Sequence, residues 1–178
     1  MKSPVEIWPY IELAKHLIKK QRRGVGNMFR HQIETFAILL EHGYDNPVLL
    51  KAALIHDLFE DGQRVGFTHF EEIITTDHDG RAVYDLVNEM TIRVENGIEE
   101  PKTIFLHRIM TSGTQLAKLL KIADRLSNVN TLFATNDKEF IIRYRDETWK
   151  CIMPFAKNID IRIAEELESN LKKLESIT

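Results

Sequence analysis

The run Leu49-Leu50-Lys51-Ala52-Ala53-Leu54-Ile55-His56-Asp57-Leu58-Phe59-Glu60-Asp61 constrains this chain more than any other stretch. It leads an apolar segment straight into one imidazole and three carboxylates. Buried charge is costly unless it is paired or coordinates a metal, so a fold that buries this segment must also supply partners for its polar end. At helical spacing His56 lies above Glu60 and Asp57 above Asp61, because residues four apart share a face. One helix would then present two potential metal ligands and, one turn on, two further carboxylates. That is an arrangement suited to chemistry.

Helical punctuation dominates the rest of the chain. Ser3-Pro4 and Asn46-Pro47 each set a capping side chain before a proline at the first helical position. Thr68-His69-Phe70-Glu71 has the form of a capping box, and Asn136-Asp137 offers another start. Glycines fall between the periodic stretches, where helices end. The spacing predicts helices near 4–22, 30–42, 47–61, 68–76, 80–91, 101–111, 114–134, 137–156 and 158–175. No segment alternates with period two, and no hairpin signal joins two strand-like runs. Gly62 to Gly66 and Arg93 to Glu100 read as mobile loops. The expectation is an all-α bundle of about eight to ten helices, with residues 1–178 forming a single domain.

The totals restrict the function. A formal net charge of -3 argues against non-specific binding to nucleic acid or an anionic membrane. The single Cys151 excludes an internal disulfide and suits a reducing compartment. No apolar stretch approaches a membrane span, and the N-terminus lacks the apolar centre of a signal peptide. A cytoplasmic protein is expected.

A metal site needs ligands from several elements. His31 sits near the start of the second predicted helix, ahead of Ile33, Phe36, Ala37 and Leu40, which form its apolar stripe. Asp124 is the one acid in Leu119-Leu120-Lys121-Ile122-Ala123-Asp124-Arg125-Leu126. With His56 and Asp57 these residues offer two imidazoles and two carboxylates, a set suited to one divalent ion such as Mn²⁺, Fe²⁺ or Zn²⁺. Such a set leaves coordination positions open, as catalysis requires. The simpler reading of Asp124 is a partner for Arg125 or Lys121. The second His-Asp pair, His78-Asp79, lacks an apolar lead and reads as a solvated turn. His16, His42, His69 and His107 read as surface or capping residues, and Trp8 and Trp149 as core. Glu165-Glu166-Leu167-Glu168 and Lys172-Lys173 read as solvated charge on a terminal helix that would suit homodimer contacts.

The order His, His-Asp, distant Asp resembles the HD superfamily of metal-dependent phosphohydrolases. The form His56-Asp57-Leu58-Phe59-Glu60-Asp61 is closest to the hydrolase domain of the RelA/SpoT alarmone family and its single-domain relatives, including the animal SpoT homologue. Gln21-Arg22-Arg23 ahead of His31 and Leu120 through Leu132 carry the same resemblance, which spans about residues 10–160. It implies that His31, His56, Asp57 and Asp124 hold one metal ion, usually Mn²⁺. It implies that Glu60 and Asp61 are the catalytic acidic pair, that Arg22 and Arg23 face the substrate phosphates, and that Asn128, Thr131 and Tyr144 line the nucleoside pocket. The chain departs from the family where Asn27-Met28 replaces Pro-Tyr, where Gln32 replaces the Pro after the first ligand, and where Gly62 replaces Thr.

The resemblance therefore implies hydrolysis of the 3′-diphosphate of guanosine tetraphosphate or pentaphosphate, yielding GDP or GTP and pyrophosphate. The chain looks too short to carry the family's synthetase and regulatory domains as well. An alternative is an HD-type phosphatase acting on NADPH or another nucleotide. Another is a nucleotide-binding regulatory module without turnover, against which the Glu60-Asp61 pair argues.

Overall fold

A computed structural model of the chain describes residues 5–22, 25–59 and 67–176. These contain ten α-helices, a short 3₁₀ turn and one two-stranded ribbon, so the all-α expectation holds. They divide into two compact units, Met1–Gln21 with Asn27–Thr91, and Arg22–Gly26 with Ile92–Thr178.

In the first unit, α1 (Trp8–Ala14) runs into the 3₁₀ turn Lys15–Leu17, followed by α2 (Met28–Glu41), α3 (Pro47–Ala53), α4 (Phe67–Thr76) and α5 (Gly80–Glu89). The Asn46-Pro47 signal is realised: Asn46 accepts from the Leu49 amide at 3.0 Å and Pro47 opens the helix. Asn27 caps α2 in the same way, through Arg30 N at 3.0 Å. Each side chain satisfies an amide that helix geometry leaves unpaired. α3 packs against α2 and α5, and α4 against α5 and α1. Tyr10, Leu39, Leu49, Leu54, Ile55, Phe70 and Val87 are fully buried.

Two expectations fail here for local reasons. The first helix stops at Ala14, so Arg22 does not lie on its end, and Ser3-Pro4 lies outside the described residues. The helix predicted over 47–61 ends at Ala53. His56 Nδ1 takes the Ala53 carbonyl at 2.9 Å, and the backbone advances through tighter i→i+3 bonds, Ile55 N to Ala52 O and Leu58 N to Ile55 O. His56 and Asp57 therefore stand on tight turns beyond α3 rather than within a continuing helix.

The second unit holds β1 (Val94–Glu95), β2 (Ile98–Glu99), α6 (Lys102–Ser112), α7 (Gln115–Leu132), α8 (Lys138–Cys151), α9 (Met153–Ile159) and α10 (Ile161–Glu175). α7 packs against α10, α9, α6 and α8. Its residues from Leu119 to Ser127 are all buried, as expected for a helix enclosed by others. The predicted helix over 137–156 is two helices, because Pro154 near the start of α9 cannot continue the hydrogen-bond ladder. The segment read as a loop from Arg93 to Glu100 is an antiparallel ribbon closed by Asn96 and Gly97, both at positive φ. Asn-Gly is the residue pair such a turn demands. Arg108 holds its base through two bonds to the Glu100 carboxylate, at 2.9 and 2.8 Å.

No helix among the described residues is long and apolar enough to cross a membrane. Trp8, expected in the core, is 62% exposed, and the Lys15 ammonium lies 5.2 Å from its ring centroid.

Candidate metal centre

In the first unit, α2 supplies His31 and the turns after α3 supply His56 and Asp57. All three are buried. The Nε2 atoms of both histidines lie 3.5 Å from the same oxygen, Asp57 Oδ2, and the two rings meet edge to face with centroids 5.1 Å apart. A separation of 3.5 Å exceeds a good hydrogen bond. It matches two ligands sharing one ion, because donor atoms each about 2.1 Å from a tetrahedral centre lie about 3.4 Å apart. The Ala53 carbonyl can only accept, so His56 Nδ1 carries the proton and Nε2 is left as the lone-pair nitrogen a metal needs.

Two further contacts hold this half. Gln32, fully buried, donates through Nε2 to Asp57 Oδ2 at 2.8 Å. Lys51, five residues before His56 and only 3% exposed, bonds both Asp77 oxygens at 2.9 and 2.7 Å and Asp79 Oδ2 at 2.8 Å. Tyr10 donates its hydroxyl to Asp77 Oδ2 at 2.6 Å. The pair read as a solvated turn is thus partly wrong. His78 is exposed, but Asp79, with Asp77, anchors α3 to the turn before α5. Burial opposes the Lys51 charge, yet its bonds to the two carboxylates prevail and hold its pKa above the ordinary lysine value. Burial likewise opposes the Asp77 charge, and the Lys51 and Tyr10 bonds prevail to hold its pKa below the ordinary range.

In the second unit, Asp124 is buried in the middle of α7. It accepts from Lys121 Nζ at 2.9 Å and from Asn128 Nδ2 at 2.6 Å. The expected lysine partner is therefore present, and it leaves Asp124 lone pairs for other use, since a carboxylate has about four acceptor sites. Asn128 also accepts from Arg22 Nη2. Arg22 Nη1 is buried without a hydrogen-bond partner among the described residues. The Arg125 guanidinium stacks 4.3 Å from the Tyr144 ring centroid and bonds Glu147 at 2.7 Å. Lys102 Nζ lies 5.8 Å from the same ring. Desolvation of that ammonium, then the charge of Arg125, lower the Lys102 pKa. Burial, the largest cause, raises that of Tyr144. The Thr131 hydroxyl is turned back to the Asn128 carbonyl at 3.0 Å.

The structure thus brings His31, His56 and Asp57 together, and separately Arg22, Asp124, Asn128 and Tyr144. His31 and His56 are buried donors of the first unit, and Asp124 is a buried donor of the second. Arg23, Glu60 and Asp61 lie outside the described residues. Gln32 and Lys102 are not given a role by the sequence, and Lys121 and Arg125 are read there only as partners of Asp124. The signal for Gln32 is its departure from the family's proline, and Lys102 gives none beyond its charge.

No family model matches the chain. A guanosine-3′,5′-bis(diphosphate) 3′-pyrophosphohydrolase of Aquifex aeolicus is 29% identical over 167 residues, covering 92% of this chain and 23% of that protein. A protein of Arabidopsis thaliana named probable GTP diphosphokinase RSH3, chloroplastic, is 28% identical over 83% of this chain and 21% of its own length. The chain thus spans less than a quarter of the curated relatives it matches. A solved structure described as a metazoan orthologue of SpoT that hydrolyses ppGpp and plays a role in starvation responses superposes with a TM-score of 0.78 at 21% identity, over 97% of both chains. In sequence this chain is similar to part of these curated proteins, and it shares its fold with the solved SpoT orthologue.

Proposed function

We propose that this chain is a metal-dependent phosphohydrolase that removes the 3′-diphosphate of guanosine tetraphosphate or pentaphosphate, giving GDP or GTP and pyrophosphate. The observation that carries the reading is the convergence of His31 and His56 Nε2 on Asp57 Oδ2, each at 3.5 Å and all buried. Among the relatives, the metazoan SpoT orthologue supports hydrolysis over synthesis, because this chain matches 97% of it.

In this reading His31, His56, Asp57 and Asp124 hold one divalent ion, with Mn²⁺ the first choice and Fe²⁺ or Zn²⁺ the alternatives. Bound there, such an ion supplies Lewis acidity toward phosphate oxygen and makes water a better nucleophile near neutral pH. Glu60 and Asp61 orient the attacking water and take its proton. Arg22, whose Nη1 has no hydrogen-bond partner among the described residues, meets the negative phosphates by charge-assisted bonds, and Arg23 adds to them. Arg22, Lys102 and Arg125 outnumber Asp124 and Glu147 around Tyr144, so a multiply charged anion is favoured there. Tyr144 offers a ring to the guanine, while Asn128, bonded to both Asp124 and Arg22, links ligand and phosphate residues. Thr131 lies one turn further along the same face.

The test is incubation of metal-free protein with guanosine 3′,5′-bis(diphosphate), with and without Mn²⁺, and chromatographic separation of the products. GDP plus pyrophosphate only with metal is the expected result. Metal binding with no turnover of this substrate would overturn the assignment and direct the search to other phosphorylated nucleotides.

A further inference from the structure

Gln32 stands where family members carry proline, and it is fully buried. Its Nε2 donates to Asp57 Oδ2 at 2.8 Å, the same oxygen on which the two histidines converge. The other end of the amide, Oε1, is buried with no hydrogen-bond partner among the described residues. Burying an unpaired carbonyl opposes folding, and a methionine of similar volume would avoid that cost. The bond from Nε2 to the buried Asp57 carboxylate offsets that cost, so folding stability gives an amide here little net advantage over methionine. We propose that Gln32 is a positioning residue for the metal centre. It occupies one lone pair of Asp57 Oδ2 and fixes the carboxylate plane, so that the remaining lone pairs of Asp57 face the ion held with His31 and His56. It touches neither substrate nor the reacting atoms. This inference rests on the metal centre proposed above.

The obligatory direction of the bond strengthens the point. A carboxylate offers only acceptors, so the amide must turn its NH₂ toward Asp57 and leave Oε1 pointing elsewhere. Hydrogen-bond partners of metal ligands alter metal affinity about 10- to 100-fold when removed. No proline at this position can supply such a donor.

The experiment compares the parent with Gln32→Met by calorimetric titration of Mn²⁺ into metal-free protein and by thermal melting without metal. The expected result is a Kd about 10- to 100-fold higher in the variant, with the metal-free protein still folded and melting within about 4 °C of the parent. At saturating Mn²⁺, kcat should recover to within about threefold, since the residue acts through Asp57. A Kd within twofold of the parent's overturns the proposal, as does a lowered Tm with unchanged Kd, which would mark the amide as structural. Should Gln32→Met fail to fold, the side-chain amide of Gln32 in the ¹⁵N-labelled parent provides the test. It should exchange slowly and shift on addition of diamagnetic Zn²⁺, and an amide that does neither refutes the inference. Parent protein that binds Mn²⁺ but leaves the alarmone intact would remove the substrate assignment and leave the Gln32 result standing.

Discussion

Replacing Lys51 with methionine tests whether the turns bearing His56 and Asp57 depend on the carboxylates behind them. The substitution keeps the stem and removes three charge-assisted bonds, two to Asp77 and one to Asp79. Asp77 retains the Tyr10 hydroxyl and the Asp79 amide, at 2.6 and 3.3 Å. Breaking a fully buried ion pair costs about 3–5 kcal/mol. Here the Asp77 and Asp79 side chains are 22% and 21% exposed, so water replaces part of the lost interaction. The loss should sit near the low end, about 3 kcal/mol. For a domain of this size that corresponds to a fall in Tm of about 6–12 °C. The pH dependence fixes the cause. In the parent, the Asp77 pKa is held low, so its contribution is present above the ordinary carboxylate pKa and is lost as pH falls through the depressed value. Without Lys51 a main lowering influence is gone, and that pKa moves back up toward the ordinary carboxylate range. The gap in Tm between parent and variant should therefore be widest near neutrality and narrow as the pH falls below about 4. Melting curves across pH 3–7 by circular dichroism would measure it. A loss under about 1 kcal/mol, or a gap that does not change with pH, would refute the argument.

Three other outcomes follow from the same geometry. Asp124→Ala should abolish Mn²⁺-dependent turnover while the far-UV helical signal persists, because α7 remains enclosed by apolar packing; unchanged activity would remove Asp124 from the ligand set. Asn27→Ala should cost about 1 kcal/mol, or about 2–4 °C in Tm, by leaving the Arg30 amide uncapped; an unchanged melt would show that the cap contributes nothing. Glu60→Gln should lower kcat about 10²- to 10⁴-fold with Mn²⁺ affinity retained; a parallel loss of metal binding would make Glu60 a ligand rather than a proton acceptor.

The parts legible in the sequence were those set by strong local rules. Asn46 before Pro47 fixed the start of α3, and Asp137 fixed that of α8 through its bond to the Phe140 amide. The mostly apolar surroundings of Asp124 read as a helix, and that helix is buried from Leu119 to Ser127. Local rules misled where a side chain competed with the backbone. The periodicity through Phe59 is helical, yet the His56 ring captures the Ala53 carbonyl and ends the helix early. The Asn96-Gly97 turn escaped notice because its strands are two residues long and exposed, which gives no alternation to read. Trp8 was assigned to the core on residue type alone, and type does not determine where one indole on a short helix points.

The site divides along the same line. The candidate ligands and their order are written in the chain, because only a few residue types bind a divalent ion and their spacing is conspicuous in apolar sequence. Supporting contacts are not written there. Lys51 and Asp77 are 26 residues apart, and Gln32 and Asp57 are 25 apart; neither pair shares a motif, and each forms only when separate helices pack. Arg22 and Asn128 meet across 106 residues. Departures from a family pattern are thus informative in a particular way. A proline replaced by glutamine beside a ligand histidine reads as noise until the amide is seen to reach the carboxylate. From then on the substitution makes a physical claim of its own. On the proposed reading, a chain with a donor to its candidate metal ligand should hold a divalent ion more tightly than the same chain without it, whichever nucleotide proves to be the substrate.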